Sequence, residues 1–106
     1  MQDLVSAIFQ HLKQRLPHIN ISTYNCSKIV NGMAVESLGI KIRFTEEYLD
    51  ISLDTTMSQI KVNHHNKLPA DVAWTVENLQ PKSMIHIDLN DPNSLELLIE
   101  YITKRA

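Results

Sequence analysis

Residues 19–44 read INISTYNCSKIVNGMAVESLGIKIRF, and this stretch decides the fold. On its first arm Ile19, Ile21 and Thr23 alternate with Asn20, Ser22 and Tyr24, the period-two pattern of a strand that buries one face. Asn31-Gly32 follows, two residues that tolerate positive φ and so favour the tight turn of a hairpin. With those two as the whole loop, Val30 faces Met33, Thr23 faces Ile40, Ile21 faces Ile42 and Ile19 faces Phe44. The apolar faces then coincide over the half of the ribbon far from the turn. Near it, Met33 and Val35 have the opposite parity to Leu38, Ile40, Ile42 and Phe44, which predicts a bulge or break around Ser37 and Gly39.

Working outward, residues 44–49 read as a four-residue loop between alternating strands, with Phe44 opposite Leu49, Ile42 opposite Ile51 and Ile40 opposite Leu53. That register sets Arg43 against Asp50 and Lys41 against Ser52 on the reverse face, an opposite-charge pair that supports it. A turn at 55–58 places Leu53 opposite Ile60 and Ile51 opposite Val62, which makes a four-strand antiparallel meander. Residues 64–68 read as loop. Pro69 opens a short helix whose apolar positions are Val72, Ala73, Val76 and Leu79, ending before Pro81. A fifth strand over 84–89 turns Ile85, Ile87 and Leu89 inward.

At the ends of the chain the period changes from two to about 3.6. Leu4, Val5, Ile8, Phe9, Leu12 and Leu16 form one stripe of a helix over 3–16, stopped by Pro17. Asp91-Pro92-Asn93-Ser94 opens a last helix with the stripe Leu95, Leu98, Ile99 and Ile102 and with Lys104 and Arg105 at its dipole's negative end. The element order is α-β-β-β-β-α-β-α. A sheet with one apolar face needs a helical layer over it, so the expected fold is an α+β two-layer sandwich: an antiparallel meander of about five strands, covered on one face by the N-terminal and C-terminal helices.

Composition agrees with one domain over 1–106. The chain is 43% hydrophobic and 21% charged, ordinary globular usage. For its 12.2 kDa, area scaling gives roughly 6,000 Å² of folded surface against roughly 18,000 Å² unfolded, enough burial for a core without staples. Ten Lys+Arg against twelve Asp+Glu leave a formal net charge of −2, which supplies no field to hold a polyanion, so nucleic acid is disfavoured as a partner. The single cysteine, Cys26, excludes an intrachain disulfide and a cysteine-pair zinc site. With no signal-peptide pattern and no 18-residue apolar window, the expectation is a cytoplasmic protein without a membrane partner.

Motifs that carry chemistry are scarce. Only Gly32 and Gly39 are glycines, so no phosphate-cradling loop exists, and there is no nucleophile elbow, dinucleotide fingerprint or zincin helix; no cofactor is implied. His64 and His65 are adjacent, a spacing that sends strand side chains to opposite faces, and a polar, solvent-facing strand end is the plainer reading. His86 and Asp88 share a strand face, where a carboxylate can orient an imidazole, but the Asn90-Asp91 turn also competes for Asp88. If the four converge, they give a metal-dependent or acid–base site. Glu46, Glu47, Asp50 and Asp54 read as a solvated face, and Cys26 has no helix N-terminus near it to make it a nucleophile.

Surface chemistry points elsewhere. Tyr24, Cys26, Val30, Met33 and Val35 fall on the face away from the helices, an apolar and aromatic patch near the turn that suits a dimer or a partner. The competing reading is that the bulge rotates Met33 and Val35 inward. Trp74 lies beside its helical stripe rather than on it and is a second anchor candidate. The element order resembles small α+β chaperone-like domains that dimerise and hold extended segments of other proteins, a likeness of architecture only. The expected function is a small, non-enzymatic protein-binding or regulatory module acting as a homodimer through Tyr24, Met33, Val35 and Trp74. The alternative is a small enzyme using His64, His65, His86 and Asp88.

Overall fold

Most of the stripe of the N-terminal segment is realised in helix α1 (Gln2–Arg15), which buries Val5, Ile8 and Leu12, with Leu16 just beyond its end, while Leu4, expected on the stripe, is exposed. The computed structural model describes residues 2–54, 57–66 and 83–105, and within them the side chains other than those of residues 2, 3, 26–28, 30, 35 and 37. The expected helix from Pro69 to Pro81, with Trp74, lies outside the described residues. After α1 come β1 (Asn20–Val30), β2 (Met33–Arg43), β3 (Glu47–Asp54), β4 (Gln59–Asn66), β5 (Ser83–Asp88) and α2 (Ser94–Thr103). The five strands form one antiparallel sheet in the order β1-β2-β3-β4-β5. Every strand therefore lies beside its neighbour in sequence, a meander, with α1 packed on β1 and β2 and α2 packed on β5 and α1.

The first hairpin keeps its register without interruption from Asn20↔Arg43 to Val30↔Met33. This corrects the expected bulge at Ser37 and Gly39. The strand alternates evenly through Gly39 because the glycine makes room for a neighbour: the Tyr24 ring, directly opposite, lies over the position a Cβ would take. At the turn, Asn31 and Gly32 have φ of 52° and 77°, the positive values that the Asn-Gly pair accommodates.

The second hairpin is tighter than expected. Phe44 N–H donates to the Glu47 carbonyl at 2.8 Å across Thr45-Glu46, and Ile42 pairs with Leu49, Ile40 with Ile51, Lys41 with Asp50 and Arg43 with Tyr48. The expected pairing differs from this one by two residues. A two-residue slip leaves every side chain on its face and still opposes a base to Asp50, so neither the apolar pattern nor the charge pairing can detect it. The third pairing, Ile51↔Val62 and Leu53↔Ile60, is as expected. β4 continues through His64 and His65, where the sequence reading placed a loop.

One core fills the space between sheet and helices. Leu12, Ile40, Ile42, Leu49, Ile51, Ile60, Val62, Leu98 and Ile102 are essentially sealed from solvent. α1 and α2 are further joined by Arg15 and Glu96, whose forked hydrogen bonds measure 2.5 and 3.3 Å. No helix among the described residues is long and apolar enough to cross a membrane.

Candidate functional site

The sheet face opposite the helices carries a polar and aromatic cluster drawn from four strands. Tyr24 on β1 donates its hydroxyl to the Asp50 carboxylate on β3. Lys41 on β2 sets its ammonium 4.5 Å from the centre of the Tyr24 ring and 5.8 Å from that of Tyr48, within cation–π range of both. On β4, His65 stacks on Tyr48, its direct cross-strand partner, with ring centres 4.7 Å apart and planes 9° from parallel. Lys41, Tyr48 and His65 are all buried. Burial dominates the electrostatics of the two rings: it pushes the Tyr48 phenol above its ordinary range, helped by the Asp50 charge. It also pushes the His65 imidazolium down, against the opposing pull of Asp50 and with the repulsion of His64 and Lys41.

His64 turns to the other face, in line with Ile60 and Val62, and is buried. Its Nε2 lies 2.6 Å from Glu47 Oε2, and its Nδ1 lies 3.4 Å from the hydroxyl of Ser83. Three strands meet here. Ser83 is the register partner of His64 on β5, while Glu47 opens β3 two residues before Leu49, the register partner of His64 on that side. A solvent-facing strand end is therefore the wrong description of the two histidines: one is sealed by a carboxylate and a serine, the other by a tyrosine ring.

His86 and Asp88 are exposed on the outer face of β5. Asp88 accepts the Asn90 backbone N–H at 2.9 Å, the turn role that competed for it. His86 pairs with Lys61, four strand positions from His65, a separation of about 13 Å at the usual rise per residue. The fold thus divides His64 from His65 by the sheet itself, and sets His86 and Asp88 apart from both. Among the described residues no group of three or more histidine, cysteine or acidic side chains is placed to hold one metal ion.

The expected docking residues fare differently from one another. Met33 is 70% exposed and Ile29 is 74% exposed, both at the tip of the first hairpin. Tyr24 is half-buried and held by Asp50, Lys41 and Gly39. Val35 pairs with Lys28 in the β1–β2 register, and Trp74 lies outside the described residues. β2 pairs with β1 along its whole length but with β3 only over residues 40–43. Residues 33–39 therefore run on past the last β2–β3 pair, paired with β1 alone among the described residues. Their outer backbone edge is unpaired among the described residues, as is that of β1 at the end of the sheet order.

Sequence reasoning missed Glu47 and Ser83 as partners of His64, and Lys41 as a buried cation. One signal was present: carrying the alternation of Ile60 and Val62 two residues further puts His64 on the inward face. No protein-family model, no curated protein and no solved structure matches the chain.

Proposed function

We propose that the chain is a small protein-binding or regulatory module of the cytoplasm that works as a homodimer, docking through the β1–β2 ribbon. The observation that carries this reading is the unguarded ribbon: among the described residues, β1 along its 11 residues and β2 over residues 33–39 have unpaired outer backbone edges. Strand edges are usually blunted by charges, proline or bulges, because free N–H and C=O groups template pairing with other chains. Here the ribbon holds one lysine, one glutamate and no proline over residues 25–38, and its register is unbroken. A second copy is the occupant that such an edge accepts most directly, since antiparallel pairing about a two-fold axis is self-complementary and closes. The formal net charge of −2 offers little repulsion to it.

The magnitudes require both parts of the ribbon. The register puts Ile29 and Met33 on opposite faces of the ribbon, so a face contact buries one of them on each copy, about 3–6 kcal/mol gross at about 1.5–3 kcal/mol per side chain. Association costs about 4–15 kcal/mol, so the tip alone gives at best a weak dimer and the backbone edge must contribute. The cytoplasmic assignment draws on the lone Cys26. A metal or acid–base site shared by His64, His65, His86 and Asp88 draws less support, because those four are spread over two faces and both ends of the sheet.

The test is sedimentation equilibrium over a wide concentration range, with the double variant Ile29→Asp, Met33→Asp. A wild-type dimer and a monomeric variant that keeps the wild-type circular dichroism spectrum are expected, with a wild-type urea midpoint that rises with protein concentration. A wild-type monomer at every concentration, or a variant that still dimerises, overturns the reading.

A further inference from the structure

We propose that Ser83, His64 and Glu47 form a nucleophile, base and orienting carboxylate able to hydrolyse small carboxylic esters by way of an acylated Ser83. One tautomer of His64 supplies these roles through its two contacts. An ionised carboxylate only accepts hydrogen bonds, so at 2.6 Å from Glu47 Oε2 the Nε2 of His64 carries the proton. A neutral imidazole protonated there has its lone pair on Nδ1, which faces the Ser83 hydroxyl at 3.4 Å. In that tautomer Ser83 donates to a base oriented by an acid on its far side, the logic of an activated serine nucleophile, with the two ring nitrogens in exchanged roles. The long serine contact is of the kind that tightens when substrate docks.

Burial separates the parts usefully. His64 is 8% exposed at its side chain and Glu47 23%, so the pair is largely withdrawn from water, while Ser83 as a residue is exposed. Backbone pairing holds His64 and Ser83 opposite each other on β4 and β5, which fixes the serine against the base by rigid elements rather than by a loop.

The step balances with ester and water alone. Ser83 Oγ bonds to the carbonyl carbon as its proton passes to His64 Nδ1, and the tetrahedral adduct expels the alcohol, which takes that proton. Water then attacks the acyl group, again giving a proton to Nδ1, and the carboxylic acid leaves as the proton returns to Ser83. His64 is the catalytic base and Glu47 a positioning residue.

The experiment uses the whole chain and a small alkyl fluorophosphonate, which bonds to an activated serine with loss of fluoride. Intact mass and peptide mapping should show one adduct, on Ser83, and p-nitrophenyl acetate hydrolysis should vanish in Ser83→Ala. His64→Gln should slow labelling by about 100-fold or more, the usual size of a general-base contribution. Glu47→Gln should slow it by at least about tenfold and change its pH profile, with partial rescue in Glu47→Asp, at an unchanged urea midpoint. Should His64→Gln fail to fold, the partly exposed Glu47 variants carry the decision. No adduct on Ser83, or labelling at the wild-type rate in folded Glu47→Gln, overturns the proposal.

Discussion

Gly39→Ala should destabilise the protein through a side chain on another strand. A Cβ on residue 39 falls 2.6 Å from Cε1 and from the hydroxyl oxygen of Tyr24, well inside contact distance, so the ring must move. Moving it breaks the hydrogen bond to Asp50 and lifts the ring from Lys41. A hydrogen bond to a charged group contributes about 1.5–3 kcal/mol and a cation–π contact about 0.5–2 kcal/mol. Against this, alanine restricts the unfolded chain, a gain of about 0.4–1 kcal/mol wherever φ is ordinary, and Gly39 has no positive φ. The net expectation is a loss of about 1.5–4 kcal/mol, or a fall in Tm of roughly 6–16 °C at about 4 °C per kcal/mol. Urea unfolding measures it: the midpoint should drop at unchanged slope, since the surface exposed on unfolding is the same. The decisive control is a double-mutant cycle. With Tyr24→Ala in place the obstruction is gone, and the same Gly39→Ala change should become neutral or stabilising, a reversal of sign. Equal losses in both backgrounds would refute the idea that Gly39 exists to seat the Tyr24 ring.

Three other outcomes are expected. Ile42→Ala removes a fully buried side chain at the centre of the sheet and should cost about 2–5 kcal/mol in urea unfolding. Gly32→Ala meets no steric neighbour but stands at φ 77°, so its cost should be the left-handed penalty alone, about 1–2 kcal/mol, and Gly32→Asn should recover part of it. For pH, the folded state holds His65 below its ordinary pKa, chiefly by burial. The unfolded chain therefore binds a proton near pH 6.5 that the folded chain refuses, and stability should fall as pH drops through that value and level off below the folded pKa. His65→Phe keeps a ring on Tyr48 and should flatten this part of the urea-midpoint profile; an unchanged slope would exclude His65 as its source.

How much of this was written in the sequence depends on which physical property each feature obeys. Faces were legible because a strand's period is two: the inward sets of Ile21, Ile40, Ile42, Ile51, Ile60, Val62 and Ile87 all lie where alternation puts them. The Asn31-Gly32 turn was legible because positive φ excludes most residues. Even register slips were not legible, since a shift of two preserves every face, and the turn at residues 44–47 contains no glycine, proline or asparagine to mark its length.

Strand ends were the least legible, and the candidate groups sit there. The β3–β4 register inferred from Leu53 and Ile60 already placed Leu49 opposite position 64. Glu47 is then the inward residue next to His64, provided both strands run two residues past their last apolar side chains. Alternation signals a strand only while there is hydrophobic surface to bury; beyond it the backbone ladder continues unannounced, carrying polar side chains that find one another rather than solvent. His64, Glu47 and Ser83 occupy that zone on one face, and Tyr48 and His65 occupy it on the other. The ribbon is the same effect at the opposite end of β2, where pairing with β1 outlasts pairing with β3 and releases an edge that no side-chain pattern records. Both proposals therefore rest on hydrogen bonding that extends past the hydrophobic core, which is why a reading built on burial located the core and passed over the groups at its rim.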